Sequence, residues 1–413
     1  MKFQAKTPKH KVNGAAREGA LGQNYFLSQP HQPFFILGIA ASIIMMLLFA
    51  LSYKGVFSLQ MENLNFHVYS LIFIVLTNVF TGFLFTTFPR FCQSEVITKK
   101  YYTTVFYLSI VGSLLFLLGS FMSHALLVAG MATLFLSQIF IVSKLQNIYK
   151  TGIMPMKEDP FWILTAQYFG LFGHLLFILI EINRYVGVEI NLLNIAVNLS
   201  FYMYIVFLGF SVAQRMIPFF SHSHAAKNEQ FIKIVFALFL LKTLLSAYEI
   251  KVAEIIIDIL LASYMLKEFL RWKLSPFNSP AILWVLHMAL FWLPVALYLS
   301  ALSLTAELLL ETSFYFLNIH LIAIGFITTV LIGFGTRVTL GHSGQSPHAD
   351  KFATNIFWSI QLVVLLRALY SLNMAFGWGL NFLFDISFTA WILLFLVWGG
   401  RYAKVLIFGS KMV

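Results

Sequence analysis

The chain has 413 residues, of which 60% are hydrophobic, 17% aromatic and only 10% charged, and its mean hydropathy is +0.84. A water-soluble domain carries roughly a quarter charged residues, so composition excludes a soluble protein and implies an all-α, polytopic membrane bundle in contact with lipid. The formal net charge of +11 is spread over short loops and reads as membrane orientation, not nucleic-acid binding; the lone cysteine, Cys92, excludes an intramolecular disulfide and any CxxC metal or haem-attachment motif.

Along the chain, residues 1–32 form a polar tail. Its basic stretch, Lys2 to Arg17, leads into a glycine-containing linker and lacks the short apolar segment of a signal peptide. Residues 33–413 form one transmembrane domain. Apolar runs long enough to cross about 30 Å of hydrocarbon as helices fall at 34–52, 67–88, 101–122, 124–143, 161–183, 191–214, 231–249, 252–270, 280–302, 313–335, 352–371 and 385–408, giving about twelve transmembrane helices. The seventh and eighth are the least apolar, because they contain Lys242, Glu254 and Asp258. With the N-terminus in the cytoplasm, 22 of the 27 lysines and arginines lie inside and five outside (Lys54, Arg184, Lys242, Lys251 and Arg367). That bias predicts that both termini are cytoplasmic. No internal repeat, low-complexity tract or second domain is visible.

Ionisable residues inside spans are costly and face the protein interior. Lys242 and Asp258 each lie eight residues from Ile250, the turn between the seventh and eighth spans. They are expected at one depth as a structural ion pair, with a proton or ion pathway as the alternative. His174, beside Gly170 and Gly173, reads as a buried neutral histidine, and His287 in the ninth span is ambiguous alone.

His67 and His320 lie in the outer parts of the second and tenth spans, which run in the same direction, so both imidazoles are expected on the outer side. That is the minimum requirement for clamping a haem iron from two helices. His320 is expected about seven residues, or roughly 10 Å, deeper than His67, with Tyr69 and Asn318 as neighbouring hydrogen-bond partners. A satisfied interfacial group and a proton relay stay open for His67. On the cytoplasmic side, "QRMIPFFSHSH" carries Arg215, His222 and His224, and "GTRVTLGHSGQSPH" carries Arg337, His342 and His348. The two arginines could hold carboxylates such as haem propionates.

The stretches "QPFFILGIAA", "FHVYSLIF…GFLFTTFPRF", "QRMIPFF", "AILWVLHMA" and "NIHLIAIGFITTVLIGFGTRVTLGHSG" together resemble the NnrS family of bacterial inner-membrane proteins. That family is described as haem- and copper-containing and tied to the nitric oxide response. The resemblance implies His67, His287, His320 and His342 as metal-binding residues and Arg215 and Arg337 as polar partners. It also implies haem b, copper, and nitric oxide or metal-nitrosyl species as reactants. The chain departs from the family's HxHE pattern in the second span, where it has Tyr69 and Ser70. A fold-level similarity to haem-copper oxidase subunits, which hold a haem between helices two and ten, lacks those enzymes' copper ligands: the sixth and seventh spans here contain no histidine. Three functions follow as expectations: a haem-binding protein of nitrosative-stress defence, an oxidoreductase passing electrons from quinol or another donor to nitric oxide, or a transporter.

Overall fold

A computed structural model describes residues 25–187 and 191–409. The tail up to residue 24, expected as a cytoplasmic segment, lies outside the described residues. All twelve apolar runs are helices, and no strand occurs among the described residues. In chain order they are α1 (His31–Tyr53), α2 (Asn63–Cys92), α3 (Lys99–Met122), α4 (His124–Thr151), α5 (Glu158–Tyr185), α6 (Leu193–Phe220), α7 (Phe231–Ala247), α8 (Lys251–Arg271), α9 (Ala281–Leu310), α10 (Leu317–His342), α11 (Lys351–Phe376) and α12 (Phe382–Phe408).

Ten of the twelve are long and apolar enough to cross a membrane. The other two are α7, with 17 residues, and α8, which carries Glu254, Asp258, Lys267 and Glu268 along its length. The expectation of twelve equivalent spans is thereby trimmed: α7 falls short in length, and α8 by the charges that made it stand out in the sequence. The described ends of the chain meet: Gly409 lies against the ring of Tyr25, and Tyr102 Oη donates to the Leu27 carbonyl at 2.7 Å.

Lipid-facing positions recur at helical spacing. On α3, Val111, Leu114, Leu118 and Phe121 are exposed, and on α11 Trp358, Leu362, Leu365 and Leu369. Between helices, lipid supplies no hydrophobic drive, so close packing and small residues hold the bundle together. The α3–α4 hairpin shows this. A methyl group added at Gly119 would sit 2.1 Å from the Leu127 nitrogen, and one at Gly130 would sit 2.3 Å from the Phe116 nitrogen.

Three helices form the centre. The most apolar windows of α2, α6 and α10 are 78%, 83% and 72% buried, against 39% for α11 and α12. Each central helix contains a π-helical stretch: Ser70–Leu76, Leu199–Val206 and Leu321–Thr328. The stretch in α6 packs against both of the others. In α2 and α10, side-chain hydroxyls follow the widened turns. Thr77 Oγ1 donates to the Ile72 carbonyl at 2.8 Å, and Thr328 Oγ1 to that of Ala323 at 2.9 Å, each five residues back. A π turn changes the helical phase and tends to occur where a side chain must be re-aimed. His67 and His320 sit within one turn of the stretches in α2 and α10.

Candidate functional site

The N-terminus of α2 is fixed by Glu62, whose carboxylate accepts from the backbone N–H groups of Leu64 and Asn65. His67 is thus one turn into its helix. The start of α10 is set by two residues with left-handed backbone, Tyr315 (φ 43°) and Phe316 (φ 59°), which swing the chain into the helix just before Leu317. His320 is then likewise one turn in, and the expected depth gap disappears because both helix starts differ from the apolar-run boundaries.

The two imidazoles lie side by side across the central cavity. Their ring centroids are 6.2 Å apart and their planes are inclined by only 19°. His320 Nδ1 donates to the Phe316 carbonyl at 2.9 Å. A carbonyl can only accept, so in the neutral ring the lone pair is on Nε2. Phe49 stacks on the other ring, His67, at 4.1 Å. The buried Nδ1 of His67 has no hydrogen-bond partner.

These rings line a cavity of about 190 Å³ that opens to the outside of the bundle and whose walls are almost wholly apolar. Its polar residues are few: the two histidines, Arg367, Tyr53, Tyr315, Tyr370 and Ser387, with Trp391 also on the wall. Arg367 is part-buried and donates through Nη1 to Ser371 Oγ at 2.6 Å and through Nη2 to the Tyr315 carbonyl at 3.2 Å. Its guanidinium also approaches the Tyr370 ring, 5.2 Å from the centroid. No carboxylate among the described residues forms an ion pair with it. A cation in an apolar cavity without a counter-ion is a site that favours an anionic group. Tyr53 and Tyr315 share a short hydrogen bond between their hydroxyls beside it. Arg367 was counted only as an outside charge in the sequence; an arginine inside the apolar run 352–371 was the signal that could have singled it out.

The expected arginine partners lie elsewhere. Arg215 bonds Asp159 at 2.8 Å and covers the Phe91 ring at 4.4 Å, while Arg337 stacks over Phe220 at 4.0 Å. Neither lines the cavity. Arg215 belongs to a surface cluster with Lys227 and Lys233 around Glu158 and Asp159. Partial burial works against the charge of Lys227, but Asp159 and Glu158 outweigh it and hold its ammonium above the ordinary range.

The remaining metal candidates are also separate from the cavity. His287 Nε2 pairs with Ser221 Oγ at 2.6 Å, and because that hydroxyl also donates to the Ile217 carbonyl, the ring nitrogen donates to it. His342 ends α10 and faces His31 at the start of α1, about 30 Å along the helix from His320. Loop residue His348 bonds Ser346, and His222 has a left-handed backbone (φ 51°). Among the described residues no group of three or more metal-ligating side chains occurs.

Tyr69 and Asn318 were expected beside the histidines, but both turn away. Two residues past His67, Tyr69 is rotated by about 200° around its helix and donates to His174 Nε2 at 2.7 Å. His174 Nδ1 in turn donates to Gln138 Oε1 at 2.7 Å, so this imidazole is buried as the sequence suggests, but has two hydrogen bonds where one is expected. Asn318 reaches Ser300 at 3.4 Å. The expected ion pair is present and larger than a pair: Lys242 Nζ lies 2.6 Å from Asp258 and 2.9 Å from Glu254, all buried.

The sequence profile of the family described as NnrS protein matches residues 25–408, nearly the whole chain. The chain belongs to the NnrS family. No curated protein matches it.

Proposed function

We propose that this NnrS-family chain is a haem-binding membrane protein of the nitric oxide response, with haem iron held between His67 and His320. The observation that carries the reading is the separation of the two rings. A metal–nitrogen bond of about 2 Å on each side, added to the ring radii, spans roughly the 6.2 Å between centroids when the imidazoles occupy opposite positions of one metal.

The surroundings fit that group. The hydrogen bond to the Phe316 carbonyl fixes the His320 tautomer and ring plane, leaving Nε2 as the ligand atom. The apolar walls suit a macrocycle, and Arg367 supplies the counter-charge for a propionate, replacing Arg215 and Arg337 in that role. Bound haem b would supply one-electron chemistry at the iron. His67 and His320 would hold it, the apolar walls would exclude water, and Arg367 would give a positive anchor.

Because both imidazoles would be taken up in holding the haem, this reading favours electron transfer or protective scavenging over turnover of a bound substrate. The oxidoreductase alternative, drawing on quinol or another donor, would need one of the two histidines to be free. A transporter draws no support from the Lys242 cluster, which is closed on itself by ion pairs. In a bacterial inner membrane with both termini cytoplasmic, the cavity would open toward the outer face.

A reduced-minus-oxidised absorption spectrum of the purified chain in detergent tests the reading. Haem bands at one equivalent per chain support it. Their absence from monodisperse protein produced with ample haem would sink it.

A further inference from the structure

Lys242 of α7 meets Glu254 and Asp258, one turn apart on α8, in the interior of the bundle. Lys242 and Asp258 are sealed from solvent, and Glu254 is buried. Fully ionised, the three groups amount to one ammonium and two carboxylates, an excess of one negative charge. The helices packed around them bring nothing to balance it. From α6 comes the ring of Tyr202, with its centroid 5.0 Å from Lys242 Nζ; from α7, Ser246; and from α9, Ser300. Lys251, at the start of α8, is taken by Glu307 at 3.1 Å. A charge held away from water without a partner is among the costliest things a fold can bury.

The two carboxyl groups are not equivalent. Glu254 Oε1 accepts from Lys242 Nζ at 2.9 Å and, in a short bond, from Ser246 Oγ. Asp258 Oδ1 lies 2.6 Å from the same ammonium, yet neither Asp258 oxygen has a hydrogen-bond partner. An ionised carboxylate can only accept, whereas the protonated form brings its own donor and still accepts through its carbonyl oxygen. Two carboxylates drawn to one point also repel, and a shared proton removes that repulsion. A metal ion would need the position between them that Lys242 Nζ already fills.

We propose that this triad is a proton-binding site, in which Glu254 and Asp258 share one proton held chiefly on Asp258. A single negative charge then faces the Lys242 ammonium, and the interior is neutral. The site has no residue in common with the histidine cavity and is independent of the haem reading.

Infrared spectroscopy of the full-length protein in detergent at neutral pH tests this, with spectra compared in H2O and D2O. The unaltered chain should show the carbonyl stretch of a buried carboxylic acid, displaced in D2O. Asp258→Asn and Glu254→Gln should each abolish it, because the one carboxyl group that remains ionises against Lys242. Glu181→Gln, which removes a buried acid outside the triad, should leave the band in place. Absence of the band from the unaltered chain, its retention in either folded amide variant, or its loss in Glu181→Gln would overturn the proposal. The first and last of these readings need neither triad variant, so they decide even if both fail to fold. The band is read in protein with or without haem.

Discussion

His320 Nδ1 donates to the carbonyl of Phe316, one turn earlier and in the left-handed region, at 2.9 Å. That single bond couples the backbone at the start of α10 to the direction of an imidazole lone pair. It explains why a bulky residue persists at a positive φ, where a non-glycine side chain is unfavourable. The carbonyl is needed in that orientation, and the Tyr315–Phe316 corner supplies it.

From this follows the first expectation. Phe316→Gly retains the carbonyl and relaxes the backbone, so haem content should persist while the redox midpoint and ligand-field bands broaden as the ring loses its fixed plane. Redox titration of the variant, monitored in the visible, checks it.

Arg367 is the next point of leverage. Replacing it by Gln removes a charge-assisted contact worth about 1.5–3 kcal/mol, which is roughly a 10–100-fold faster loss of haem. Transfer of haem to excess apomyoglobin measures the rate. Arg367→Lys should recover part of the retention, because the charge survives and the forked geometry does not. Arg215→Gln, far from the cavity, should leave the transfer rate unaltered.

The Lys242, Glu254 and Asp258 cluster is expected to be structural. Lys242→Ala strands two buried carboxylates and should cost about 3–5 kcal/mol. Thermal unfolding in detergent should show a marked drop. Combining Lys242→Met with Glu254→Gln and Asp258→Asn should recover much of it, and haem spectra should be unaffected throughout.

Tyr69→Phe separates the neighbouring polar network from the cavity. It leaves His174 Nε2 buried without its donor, at a cost of about 1–3 kcal/mol. Stability measured by chemical denaturation should fall while axial ligation stays the same, since Tyr69 points to His174 and not to His67.

Much of this architecture was legible from hydropathy. Every apolar run became a helix, because a continuous apolar run of about twenty residues satisfies its own backbone in lipid only as a helix. A buried His174 and the ion pair of Lys242 with Asp258 were also readable, since buried charge and buried imidazole have few stable arrangements; the second hydrogen bond of His174 was not. The partner of Tyr69 was not readable. Its rotation about α2 depends on helical phase near a π stretch, which leaves no compositional trace. Arg367 did leave a trace, as an arginine inside an apolar run, but its place at the cavity depends on the corner before α10, whose Tyr315 carbonyl accepts from its guanidinium. His31, at the edge of the polar tail, has no signal in the sequence; the packing of α1 against α2 buries it beside His342.

The central claim is that His67 and His320 approach one iron from opposite sides. Electron paramagnetic resonance of the oxidised, purified protein tests it most directly. The account predicts a low-spin ferric signal of two nearly parallel imidazoles, lost in both His67→Ala and His320→Ala. A high-spin signal in the unaltered chain, or a low-spin signal that survives either substitution, would contradict it.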